Sequence, residues 1–370
     1  MCASLGLFAC SNEEIPGNGS KIEGPVDIAV KINLPSGLST KTEAIPTTDK
    51  KVTVNVLHVT LKRSNGDDLT QTIKNPTVTN NTCTVTFTNV EGPQSLSVEI
   101  NKGTYDEEND IYKENQPLTG LNIKDIQTAN APMKGEVTSD KFMIETDENG
   151  ISQYKVNVTM EHEMARLEFS NISHKDNTQE CKFSSATLSG VLLNNINLGS
   201  IGSGASKTNY TDADFVNNSV FSKENPWDGN LNFDKFLANE SSIPGKDKCF
   251  AYNILPVEND LPILTVYFTN VKVTPKTDGN TNIWPASGRG YAIVSQYKLD
   301  SSDNAVKAAF GVEDNNNIIK KFPAGYIYQV TDLQIADENI HTTPEGNGID
   351  LVATITVTPW ETANGTVEWK

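Results

Sequence analysis

Apolar side chains recur at every second position through most of this chain, and that period predicts strands. Val26, Ile28, Val30, Ile32 and Leu34 form one face of a first strand, which Pro35-Ser36-Gly37 closes. Val52, Val54, Val56 and His58 alternate next, and Ser64-Asn65-Gly66-Asp67 turns that strand into residues 69–73. Residues 82–90 and 95–100 read as a pair about Glu91-Gly92-Pro93, an acidic loop spans 105–115, and 142–145 with 154–160 close a first domain. A second set starts at Met164-Ala165-Arg166-Leu167-Glu168-Phe169 and continues through 181–193, 249–255, 263–273, 291–297 and 326–335. The stretch 199–239 is the least strand-like, and 233–237 suggests a short helix.

The last strand stands apart. Ile349, Leu351, Ala353, Ile355 and Val357 share a face, and the turn-forming run 342–348 separates them from everything before. Such a strand needs a sheet to finish, in its own domain or in another copy of the chain. Beyond Pro359, Asn364-Gly365 is a two-residue hairpin signal that sets Trp360 opposite Trp369. The pattern predicts an all-β chain of two consecutive β-sandwich domains, Greek-key or transthyretin-like. Its segments are a leader remnant and linker at 1–24, domains at 25–162 and 163–345, and a tail at 346–370.

The start of the sequence points to export, and composition fits an exported, β-rich chain. Leu5-Gly6-Leu7-Phe8-Ala9-Cys10 has the shape of a lipoprotein signal, a small residue standing before a cysteine that becomes the lipidated N-terminus. Ser11-Asn12-Glu13-Glu14 and a Gly/Ser/Pro linker then supply a tether. No run reaches the ~20 apolar residues of a membrane-spanning helix. A net charge of −17 argues against nucleic acid and against adhesion to anionic lipid. The only arginines are Arg63, Arg166 and Arg289, which leaves little for bidentate phosphate recognition. Outside the leader, Cys83, Cys181 and Cys249 are an odd number at long spacings and read as buried thiols, with a Cys181–Cys249 disulfide as the alternative.

Catalytic chemistry is not signalled. Glu161-His162-Glu163 lacks the second histidine of a zinc helix, and residues 202–208 lack the glycine spacing of a phosphate loop. No Gly-x-Ser-x-Gly elbow offers a nucleophile. The cluster Asp106-Glu107-Glu108-Asn109-Asp110 lacks the calcium-loop spacing and reads as a solvated loop. The expectation is a non-enzyme with no metal and no cofactor.

The order of elements resembles a known family. The cysteine at 10, the strand 26–34, Ser39-Thr40-Lys41-Thr42-Glu43, the 164–169 strand, Phe322-Pro323-Ala324-Gly325-Tyr326-Ile327-Tyr328 and the closing Val357-Thr358-Pro359-Trp360 together resemble the fimbrillins, type V pilins of Bacteroidales. The resemblance implies an outer-membrane lipoprotein precursor cut at the cell surface by a trypsin-like protease after a basic residue beyond the first strand. On this chain that residue is Lys41, with Thr42 as the new N-terminus, where the family usually has Arg. Loss of Val26, Ile28, Val30, Ile32 and Leu34 then opens a groove. A donor strand comprising Ile349, Leu351, Ala353, Ile355, Val357 and Trp360 of another copy fills it. Partners are copies of the chain and related fimbrial subunits, in a stalk. Alternatives are a fimbrial anchor, a tip adhesin, or a surface lipoprotein that binds glycan or host protein.

Overall fold

Alternating Val, Ile and Thr with few helix formers gives the backbone little choice but sheets. The computed structural model describes residues 24–34, 54–101, 104–106, 111–113, 132–146, 148–175, 183–197, 233–235, 250–273, 285, 287–313, 315–344 and 351–359. The first unit holds β1 (Val26–Asn33), β2 (Val56–Arg63), β3 (Leu69–Lys74), β4 (Thr82–Val90), β5 (Pro93–Ile100), β6 (Thr104–Asp106), β7 (Ile111–Lys113), β8 (Met133–Thr138), β9 (Met143–Thr146), β10 (Ser152–Thr159) and β11 (Glu161–His162). One sheet runs β4-β1-β10-β9 and the other β11-β8-β5-β2-β3. Val30 and Val156 of the first sheet and Val59 and Val98 of the second belong to one buried cluster, so the two sheets close on a single core.

The second unit holds β12 (Ala165–Phe169), β13 (Ile172–Lys175), β14 (Phe183–Asn194), β15 (Phe233–Lys235), β16 (Phe250–Ile254), β17 (Ile263–Val273), β18 (Gly290–Leu299), β19 (Tyr326–Val330), β20 (Leu333–Ala336) and β21 (Leu351–Pro359). Its strands run β15-β14-β17-β18-β21-β19-β12-β16, and β13 pairs with β20. A separate buried cluster, from Ala165 to Ile355, is its core. Asp303 caps the short helix Asn304–Ala309 by accepting from the Ala305 N–H at 2.8 Å.

Several expectations need correction. The turn at Glu91-Gly92-Pro93 does not pair the strands it joins: β4 lies beside β1, whereas β5 lies between β2 and β8. The chain crosses from one sheet to the other there. Gly92 has φ +58°, and its carbonyl accepts from the Ser64 N–H at 2.7 Å; a Cβ at this position would sit 2.2 Å from Ser64 Oγ. On β2 the fully buried face is Leu57, Val59 and Leu61, while His58 on the other face is held by Thr72 Oγ1 at 2.8 Å. The helix expected at 233–237 is instead β15, which pairs along β14; a segment so short gains more from an available strand edge than from one helical turn. Within 105–115, where the sequence suggests a loop, β6 and β7 form a ladder.

The tail pattern leaves open whether its strand finishes its own domain or another copy, and here β21 lies in the sheet of the second unit. Leu351–Ile355 pair parallel to β18, and Thr356–Pro359 pair antiparallel to β19. Ala353 and Ile355 join the core, while Leu351 and Val357 pack against it half-buried. Alternation says that one face is covered, not which surface covers it.

Candidate strand-exchange groove

The first strand occupies a slot between two others. Asp27–Asn33 pair parallel with Gln153–Thr159 of β10, and the same strand pairs antiparallel with β4 from Val26↔Val90 to Asn33↔Thr82. Both edges of its backbone are therefore paired along residues 28–33, and the ladder with β4 is interrupted only at Asp27. Val26, Ile28, Val30, Ile32 and Leu34 are all buried, the last three and Ile28 at 3% exposure or less. Beside them in the same sheet lie the buried Val85 and Phe87 of β4 and Val156 and Val158 of β10. Without β1 these side chains would line an apolar trough with an open strand edge on each side, while β10 keeps its ladder with β9.

Each end of the slot has its own clasp. At the far end the Leu34 N–H donates to the Asn81 carbonyl at 2.9 Å, and the Asn33 carbonyl accepts from the Met160 N–H at 3.2 Å. At the near end the register with β4 slips between Val26 and Ile28, so Asp27 faces both Thr88 and Asn89. Asn89 sits in the left-handed region at φ +58°, a conformation asparagine tolerates, and its N–H donates to Asp27 Oδ1 at 3.0 Å. A side-chain carboxylate thus stands where the bulge denies a main-chain acceptor. Sequence reasoning missed this contact; its one trace is an asparagine beside β-formers.

The walls of the slot are held from outside. Gln71 Nε2 of β3 donates to the Thr86 carbonyl at 2.8 Å, tying the edge of one sheet to the edge of the other. On the opposite side Gly135 of β8 lets the sheets approach, since a Cβ there would meet Val158 Cγ1 at 2.5 Å and the Thr159 carbonyl at 2.8 Å. Phe142 packs edge-on against Tyr154 at 5.8 Å between centroids. Cys83 of β4, directly opposite Ile32, is a buried free thiol whose pKa burial pushes up. In β11, the last strand of the first unit, burial holds the His162 imidazole at a pKa of about 3.

All five residues assigned to the displaced strand fall in this slot. Of the residues assigned to the donor, Leu351, Ala353, Ile355 and Val357 lie in β21. Ile349 and Trp360 are outside the described residues, as are Cys10, Lys41, Thr42, Cys181 and Cys249. Among the described residues no group of three or more His, Cys, Asp and Glu is arranged to hold a metal. The buried pair Arg166–Glu168, at 2.8 Å with Gln329 Nε2 on the second oxygen, is satisfied within its own sheet.

No family model and no curated protein matches the chain. Solved structures do. A "putative cell adhesion protein" from Bacteroides eggerthii aligns with a TM-score of 0.53 at 14% identity, covering 93% of this chain and 98% of its own. A fimbrilin from Porphyromonas gingivalis aligns with a TM-score of 0.50 at 12% identity, covering 92% and 98%. The chain shares their fold along nearly its whole length.

Proposed function

We propose that this chain is the stalk subunit of a cell-surface fimbria, exported as a lipoprotein through Cys10 and joined to its neighbours by strand exchange. Cleavage after Lys41 frees the segment that contains β1. Residues 349–357 of another copy then take the slot, parallel to β10 and antiparallel to β4. The reading calls on no catalytic group, metal or cofactor, and its partners are copies of the chain and related subunits.

One observation carries it: among the described residues β1 is the first strand of its unit, yet it lies inside a sheet with both edges paired and five apolar side chains buried. At roughly 1.5–3 kcal/mol for each large side chain, an empty slot is strongly unfavourable, and a strand must fill it. The likeness of fold to a fimbrilin supports the same reading. So does the kind of site β21 occupies. In its own unit it also lies parallel to one neighbour and antiparallel to another, but among the described residues each half of it pairs on one side only. Moving into the slot gives the strand a ladder on each side and covers its whole apolar face. The cost is an open seam between β18 and β19.

N-terminal sequencing of the subunit from assembled filaments tests this. The sequence should begin at Thr42. Filaments in which every copy retains residues 10–41 would overturn the cleavage and leave the chain an anchor.

A further inference from the structure

The contact between Asp27 and Asn89 bears on the register of whatever strand lies in the slot. Apolar alternation by itself cannot set that register, because sliding a strand by two residues returns apolar side chains to the same face. The slot carries one feature that such a slide does not respect. Asn89, at φ +58° in the β4 bulge, presents its N–H to the outer face of the central strand, and Asp27 Oδ1 accepts it at 3.0 Å.

We propose that this N–H reads the incoming strand, favouring the register that places a side-chain oxygen between the first two apolar residues. The inference rests on the strand-exchange reading above. Aligning Ile349 with Val26 and Val357 with Leu34 sets Asp350 on the position of Asp27. Slid by two residues either way, the strand offers Gly348 or Val352 there, and neither side chain can accept a hydrogen bond. Asp350 is a positioning residue: the apolar face supplies the attraction, and the carboxylate fixes where along the slot it is used.

The test keeps the whole chain. A recognition site for a specific protease is placed at Lys41–Thr42 and cut, so that β1 is held without a covalent link to β2. Synthetic peptides of residues 347–358 are then added, and displacement of β1 is followed by mass spectrometry. The parent peptide and Asp350→Asn, which keeps an oxygen acceptor, should displace β1 alike. Asp350→Ala should be roughly fivefold weaker, the effect of one modest hydrogen bond. Register is read directly with a cysteine in the peptide at 353, 355 or 357, since Cys83 faces the slot. In peptides that keep Asp350 the disulfide should form at 355; in peptides carrying Asp350→Ala it should spread to 353 and 357. Equal strength and an unchanged disulfide position for Asp350→Ala would overturn the register lock while leaving strand exchange intact. Failure of the parent peptide to displace β1 at large excess would overturn strand exchange by this segment, and the lock with it.

Discussion

Ile32 of β1 stands directly opposite Cys83 of β4, and both are buried, at 0% and 4% exposure. The thiol is thus covered by the strand whose removal the proposed assembly requires. Burial also keeps it protonated and slow to react. In the intact chain, alkylation of the Cys83 peptide should be undetectable on the time scale that labels an unfolded control. Cutting at Lys41 and washing out β1 should raise labelling to that of the control, and adding the 347–358 peptide should suppress it again. Quantitative peptide mapping distinguishes Cys83 from the other cysteines.

The two faces of β1 should respond differently to charge. Val30 is fully buried, whereas Lys31 lies half-buried on the outer face. Val30→Asp places a carboxylate in the core without a partner and should cost about 3 kcal/mol or more. Lys31→Asp should stay within about 1 kcal/mol. Urea midpoints of the two variants provide the comparison.

Much of this is legible in the sequence, and the limits follow from what periodicity measures. β1 is plain because every second residue from Val26 to Leu34 is a large aliphatic and none of the residues between them is. β2 is not, because Val56, Leu57, Val59 and Leu61 put apolar groups on both faces, and only the neighbouring sheet decides which is inside. The β21 pattern predicts a strand but not its partners; those are set by β18 and β19, which precede it by many residues. The Asp27–Asn89 clasp depends on a bulge, and a bulge leaves no fixed spacing to find.

Gly135 is a packing requirement of the slot. Gly135→Ala drives a methyl group against Val158 and the Thr159 carbonyl of β10, and β10 is one wall of the trough. The loss should be about 1–3 kcal/mol. Part of it should appear as faster hydrogen exchange in β1 and β10, measured by mass spectrometry, while β17 and β18 of the second unit remain unchanged.

His162 makes the first unit acid-sensitive. Burial lowers its pKa from the ordinary 6.5 to about 3, so the unfolded chain holds the proton more tightly than the folded one. Its contribution is complete above pH 6.5 and declines as the pH falls from there toward 3, by up to about 1.4 kcal/mol per pH unit. His162→Gln should flatten the stability profile over that window. Urea midpoints at about pH 7 and about pH 4.5 give the answer; an unchanged slope would assign the acid sensitivity elsewhere.

The central claim is that the C-terminal strand of one copy occupies the β1 slot of another, and a disulfide can catch it there. In the aligned register Ile355 takes the place of Ile32, opposite Cys83, within the reach of a cross-strand disulfide. The measurement is made on filaments from cells expressing Ile355→Cys with Cys181 and Cys249 replaced by alanine, oxidised mildly and run on a denaturing gel without reductant. Strand exchange should give a ladder of covalent multimers that collapses on reduction and is lost when Cys83→Ala is added. Filaments that assemble normally yet yield only monomers would contradict it, because the strand would then have stayed in its own seam between β18 and β19.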